Sequence, residues 1–233
     1  MKNIDFTKFE EKIQVSFKDK NLLRQAFTHR SYLNENRNAG MDHNERLEFL
    51  GDAVLELVVT HFLYKKFPTT AEGELTSYRS ALVNTVTLGT IATKLNINDY
   101  LLLSKGEAKD TGRARTIILA DTTEALIGAM YLDGGYDVAE RFIKNHIIES
   151  IDVEEMISKK LWLDAKSRFQ ESAQEHVGLT PSYKTLKEVG PDHSKHFTLG
   201  VFLGEKQIAT GDGPSKQEAE QKAAENALNI KGW

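Results

Sequence analysis

Apolar and polar positions follow two different periods along the chain, and the change falls near residue 160. Before it, Leu, Ala, Lys and Glu dominate, strand-like alternation is nearly absent, and the spacing predicts helices. Helix stops are expected at Phe67-Pro68, around residues 96–99, through the loop at 106–112 and at Asp133-Gly134-Gly135. Beyond residue 160, Asp164 reads as the cap of a helix reaching Val177, with Ala165, Phe169, Ala173 and Val177 on one face. Pro181 opens an extended piece over 183–189, and a loop follows at 190–195. Phe197, Leu199, Val201 and Leu203 then alternate as a half-buried strand. Gly204-Glu205-Lys206 turns into a third strand through Ile208 and Thr210. Ser215 and Glu218 form a capping box before a last helix, whose apolar face is Ala219, Ala223, Ala227 and Leu228. Such small residues let a helix lie close on a sheet. The second part is therefore expected to be α-β-β-β-α, joined to the first through the charged segment 152–160.

Composition narrows the function classes. The chain has 233 residues, no cysteine and a net charge of −4. Disulfides, thiolate metal sites and cysteine nucleophiles are excluded together. The first ten residues are polar, with no apolar signal core, and no apolar run approaches the ~18 residues of a membrane span. A cytoplasmic protein with no membrane partner and no organic cofactor is expected. Residues 161–233 carry 9 basic and 10 acidic side chains, which leaves 21 and 24 for residues 1–160. Neither part is basic, so any contact with phosphate must come from local clusters.

The candidate chemistry lies on two predicted helices. With residues 44–64 on a helix, Glu45, Glu48, Asp52 and Glu56 fall within an arc of roughly 80°. Apolar residues fill most of the remaining circumference. No lysine or arginine follows Arg46 until Lys65, although like charges at i,i+4 destabilise a helix. Residues 117–132 are more extreme, with Asp121 and Glu124 as the only charges in an otherwise apolar run and Gly128 between them in projection. A helix apolar all round is buried, and a buried carboxylate must be paired, protonated or bound to metal. If the two helices face each other, oxygen ligands converge with little compensating charge, which suits Mg²⁺ or Mn²⁺. Neither helix has the E-x-x-H pair of a di-iron bundle. His61 is expected in the core, and His29 and His43 are expected to be structural.

These residues resemble a known family. His43-Asn44-Glu45-Arg46-Leu47-Glu48-Phe49-Leu50-Gly51-Asp52 is similar to the signature of bacterial ribonuclease III. Ala26-Phe27-Thr28-His29-Arg30-Ser31-Tyr32, Glu72-Gly73-Glu74-Leu75 and Leu119-Ala120-Asp121-Thr122-Thr123-Glu124-Ala125-Leu126 resemble further family blocks in order and spacing. The α-β-β-β-α part resembles a double-stranded-RNA-binding domain. The resemblance implies an all-α endonuclease domain over 4–150, a linker over 151–160 and a small α+β RNA-binding domain over 161–230.

It also implies roles. Asp52 and Glu124 would be catalytic, and Glu48, Asp121 and Glu124 would hold Mg²⁺, with Mn²⁺ as a substitute. Asp52 would be a ligand or would orient the attacking water. Glu45 and Glu72 would support the substrate or a dimer, and Phe49 would plug a pocket of the partner in a homodimer. Gln170, Gln174, His193, Lys195 and Lys216 would contact duplex RNA, read by its A-form shape. Glu56 matches no functional position and reads as solvated. Two departures from the family pattern are Gln217 and Glu220 at the start of the last helix, where many such domains carry lysine, and the loop Gly112-Arg113-Ala114-Arg115-Thr116-Ile117, where the family more often has an acidic residue then Ser or Thr at 116–117. Arg113 and Arg115 are open to phosphate contact or to solvent. The implied activity is hydrolysis of double-stranded RNA to 5′-phosphate and 3′-hydroxyl ends with short 3′ overhangs, in precursors of ribosomal RNA and of some messenger, transfer or small RNAs. A binding module that has lost cleavage, and a small-molecule hydrolase with an unrelated tail, are the competing readings. The four carboxylates oppose the first and the RNA-binding-like tail opposes the second.

Overall fold

The computed structural model describes residues 4–160, 162–191 and 195–233. The chain divides into two compact units, residues 1–155 and 156–233. The first unit is helical. Its helices are α1 (Thr7–Ile13), α2 (Lys20–Ala26), α3 (Arg30–Glu35), α4 (Glu45–Lys66), α5 (Glu72–Val83), α6 (Thr85–Lys94), α7 (Arg113–Gly134) and α8 (Tyr136–Ile143). A short α9 (Val153–Ser158) lies at the junction in sequence between the units. The second unit runs α10 (Ala165–Val177), β1 (Pro181–Val189), β2 (His196–Leu203), β3 (Lys206–Gly213) and α11 (Lys216–Lys231).

The core of the first unit is built around α7, which packs along α4 and α6. Residues 118–120, 122, 123 and 125–130 of α7 are all buried. Thr122 and Thr123 lose nothing by burial, because their hydroxyls donate to the Ile118 and Leu119 carbonyls at 2.7 and 2.9 Å. Two glycines set the spacing to α4. A Cβ on Gly51 would stand 1.7 Å from the Glu124 carbonyl oxygen, and one on Gly128 would stand 2.1 Å from that of Leu47. The two backbones touch where only glycine fits. Glu48 and Glu124, beside those contacts, are brought together as a consequence.

One flank of α4 is left uncovered. Phe49 is 83% exposed, Leu57 57% and Tyr64 71%. His61 is exposed as well, which corrects its expected place in the core. The helical period placed it on an apolar side, but that side faces outward rather than toward α7.

In the second unit the strands form an antiparallel sheet in the order β1-β2-β3. Asp164 caps α10 by accepting from the backbone N–H groups of Lys166 and Ser167. Ser215 caps α11 by accepting from Glu218 N–H at 3.2 Å. Ala223, Ala224, Ala227 and Leu228 pack α11 on the sheet, joined by Phe169, Ala173, Val201, Leu203 and Ala209, and Ala219 is buried against Gly211 and Gly213 of β3. The approach is close enough that a Cβ on Gly211 would lie 2.1 Å from the Ala223 backbone nitrogen. The strand expected from residue 183 begins two residues earlier, at Pro181, and bulges between Thr185 and Lys187.

Candidate functional site

Helices α4 and α7 bring three carboxylates together. Oxygens of Glu48, Asp121 and Glu124 all lie within 4.8 Å of one another, each on a half-buried side chain. Among the described residues no lysine or arginine pairs with these three or with Asp52. The ends of the acidic stripe do find cations, supplied by other helices. Glu45 lies 3.5 Å from Arg30 of α3, and Glu56 lies 4.0 Å from Arg79 of α5. The middle of the stripe is left with mutual repulsion.

That repulsion and partial burial raise the acid pKa values. Glu124 is pushed up to about 8, first by burial and then by Asp52, Asp121, Glu48 and Glu56. Glu48 is pushed up to about 6, by burial and then by Asp121, Glu45 and Asp52. Burial and Glu45 raise Asp121. Asp52 is exposed, one turn beyond Glu48, and stands outside the three-oxygen cluster while adding its charge to Glu124. An all-oxygen set of carboxyl donors, with no counter-cation among the described residues, is the chemistry a hard divalent cation needs, so the residues present fit Mg²⁺.

Beside the cluster opens a cleft of about 560 Å³, lined by His29, Arg30, Ser31, Glu45, Glu48 and Asp121 among others. Glu107 also lines it, from a loop in which composition gave no functional signal. Arg115 does not reach into that space as a free cation. Its guanidinium donates to the Glu107 carbonyl at 2.6 Å and to the Asp110 carbonyl at 3.0 Å, bracing the loop before α7. His29 precedes α3, and burial holds its imidazole below the ordinary pKa against the opposing pull of Glu107.

Glu72 is not in this cluster within one chain. It opens α5, accepts from Thr76 Oγ1 at 3.1 Å and lines a separate pocket of about 460 Å³ with Thr60, Leu63, Tyr64, Leu75 and Arg79. That pocket lies near the far end of α4 from Phe49.

In the second unit, Gln170 and Gln174 are exposed on α10. Lys195 and Lys216 stand at the same end of the sheet, where Phe197 pairs with Gly213. Lys216 lies over the Phe197 ring at 5.7 Å, and Lys195 pairs with Glu188 at 2.9 Å. His193 lies outside the described residues. Glu220 turns toward α10, where Lys166 pairs with it.

A family model described as Ribonuclease-III-like matches residues 19–151, and one described as a double-stranded RNA binding motif matches residues 165–231. Ribonuclease 3 of Bacillus licheniformis is 45% identical over 223 residues, which is 96% of this chain and 88% of that protein. Ribonuclease 3 of Oceanobacillus iheyensis is 42% identical over 226 residues, 97% of this chain and 98% of that one. Among solved structures, the nuclease domain of ribonuclease III from Campylobacter jejuni covers 62% of this chain and 97% of its own, at 42% identity and a TM-score of 0.57. That domain is described as flexible in a region involved in dimer formation.

Proposed function

The chain belongs to the ribonuclease III family, and from that premise we propose that this double-stranded-RNA endonuclease hydrolyses its substrate with Mg²⁺ held by Glu48, Asp121 and Glu124. The observation that carries the reading is the convergence of three carboxylates, unpaired with lysine or arginine among the described residues, in a chain that also carries a duplex-RNA-binding motif. When bound, Mg²⁺ supplies a Lewis acid that lowers the pKa of water and stabilises charge on the scissile phosphate. The chain's own residues do the rest. Asp52, exposed beside the cluster, orients the attacking water. Glu45, held by Arg30, lines the cleft that receives the backbone. Attack by water leaves a 5′-phosphate and a 3′-hydroxyl, and the two sites of a dimer leave short 3′ overhangs. Mn²⁺, with the same oxygen preference, substitutes.

Residues 4–150 form the catalytic domain, 151–160 the linker and 161–230 the RNA-binding domain. Gln170 and Gln174 contact one minor groove, His193 and Lys195 the next, and Lys216 the phosphates between them. The substrates are structured precursors of ribosomal RNA and of some messenger, transfer or small RNAs, met in the cytoplasm. Among the described residues no helix is long and apolar enough to cross a membrane.

The working unit is a homodimer. The uncovered flank of α4 carries Phe49, Leu57 and Tyr64, and the pocket lined by Tyr64 and Glu72 lies near the other end of the helix. Phe49 and Tyr64 are 15 residues apart, about 22 Å along the axis. A twofold axis crossing α4 midway between them sets the Phe49 of each subunit against that pocket in the other. Glu72 is thereby carried toward the opposite acid cluster, which gives it a place in the site that one chain alone does not offer.

End analysis of the products tests the reaction. Duplex RNA cut in Mg²⁺ is expected to yield fragments that a 5′-phosphate-dependent exonuclease degrades. Fragments ending in 2′,3′-cyclic phosphate would overturn water as the nucleophile.

A further inference from the structure

We propose that His29 is a substrate-binding residue of the cleft, its Nε2–H donating to an oxygen acceptor of the RNA backbone beside the acid cluster. The proposal rests on reading that cleft as the place where duplex RNA is cut.

The backbone at His29 is fixed from both sides. Its own N–H donates to the Leu102 carbonyl at 3.1 Å, and Leu102 N–H donates to the Phe27 carbonyl at 2.9 Å. Asn44, the residue before α4, donates its N–H to the Thr28 carbonyl at 2.9 Å and its side-chain amide to the Ala26 carbonyl at 3.3 Å. The helix that begins at Glu45 and carries Glu48 is thus tied to the segment that carries the imidazole. A side chain held in this way is placed in advance of substrate, as a binding group requires.

The ring's tautomer follows from its partners. Ser31 N–H donates to Nδ1 at 3.3 Å, and the Ser31 hydroxyl lies 2.8 Å from the same nitrogen. That hydroxyl oxygen already accepts from Ser104 N–H at 3.1 Å, so its proton is free to go to Nδ1. A nitrogen that accepts from a backbone N–H carries no proton, and the hydrogen of the neutral ring sits on Nε2. Among the described residues Nε2 has no hydrogen-bond partner, and His29 lines the cleft together with Glu48 and Asp121.

The chemistry of such a donor suits this place. A lysine beside the acid cluster would neutralise the carboxylates and compete with a divalent cation for them. A neutral N–H offers a hydrogen bond with no net charge. The acceptor it meets in a cleft that takes an RNA backbone is a ribose 2′-hydroxyl or a non-bridging phosphate oxygen.

The two nitrogens have separable jobs, and two substitutions separate them. In His29→Asn the amide oxygen stands near the Nδ1 position and keeps the acceptor for Ser31 N–H, but the Nε2–H is gone. His29→Gln has the opposite pattern. His29→Asn is expected to melt within about 2 °C of wild type and to lose about 3–10-fold in kcat/KM on duplex RNA with Mg²⁺. His29→Gln is expected to melt lower and to lose less activity. Substrates with single 2′-deoxynucleotides around the scissile bond then assign the acceptor. If one position erases the difference between wild type and His29→Asn, the acceptor is that 2′-hydroxyl; if none does, it is a phosphate oxygen. Wild-type kcat/KM in His29→Asn, or equal activity losses in both variants tracking their loss of stability, would overturn the proposal. Inactivity of the wild-type protein on duplex RNA would instead sink the reading of the cleft on which it rests.

Discussion

Replacing Glu124 with glutamine is expected to abolish cleavage of duplex RNA while leaving its binding intact. The substitution keeps the size of the side chain and one oxygen, but removes a charge that Glu48 and Asp121 cannot replace. Loss of one preorganised electrostatic group at a reacting centre costs on the order of 10³-fold in rate. With duplex affinity assigned to phosphate contacts in the second unit, binding is expected to stay within about threefold of wild type. The same variant carries a stability signature. The Glu124 pKa is raised from 4.5 to about 8 in the folded chain. A raised acid pKa contributes stability that is fully present below the unfolded value and is lost as pH rises through the folded one. In EDTA the wild-type protein should therefore lose stability between about pH 4.5 and pH 8.5. A tenfold change in acidity between the folded and unfolded chain corresponds to about 1.4 kcal/mol at full strength. For a group still partly open to solvent the loss is about 2 kcal/mol, or roughly 4–8 °C in Tm for a chain of this size. Glu124→Gln escapes that loss and should melt higher than wild type at pH 8 in EDTA. Mg²⁺ should raise Tm for wild type and much less for the variant. Cleavage at the wild-type rate would remove Glu124 from the mechanism.

Phe49→Ala is expected to weaken the dimer by about 100-fold or more. Truncating a buried Phe costs about 3–5 kcal/mol, and a twofold interface feels the change twice. Within its own chain Phe49 is 83% exposed, so its removal leaves no cavity in the monomer. Sedimentation across a dilution series should show the variant dissociating at concentrations where wild type is still paired. The folded monomer should keep its helical signal. An unchanged dissociation constant would mean that Phe49 does not fill the pocket near Tyr64 and Glu72.

Much of this architecture is legible in the sequence because local chemistry and global packing agree. The alanine face of α11 predicts close contact with a sheet, and Gly211 answers it from the sheet side. Asp164 and Ser215 sit where their side chains satisfy helix N–H groups. The acids on α4 and α7 stand out because one helix face holds several of them with no cation at i±4. Other features depend on distant parts of the chain and leave no local trace. The cations that meet Glu45 and Glu56 come from α3 and α5. A helical period separates faces but cannot say whether an apolar one meets its own core or lies open, which is why it misplaces His61. Gly128 is visible between Asp121 and Glu124, but its reason, a backbone contact with Leu47, requires the partner helix. The structural reading of His29 agrees with its cap on α3, but the partners that fix its surroundings, Leu102 at its backbone N–H and Ser104 at the Ser31 hydroxyl, lie more than 70 residues away and leave no local trace.

The Glu48, Asp121 and Glu124 cluster is expected to cut duplex RNA only with a divalent cation. The most direct measurement incubates the full chain with long duplex RNA in Mg²⁺, in EDTA, and in EDTA followed by excess Mg²⁺, with the same sequence as a single strand in parallel. Short duplex products are predicted in Mg²⁺, none in EDTA, recovery on adding Mg²⁺ back, and little cutting of the single strand. Undiminished cleavage in EDTA, or an intact duplex in Mg²⁺, would mean that this cluster is not a cation-dependent nuclease site.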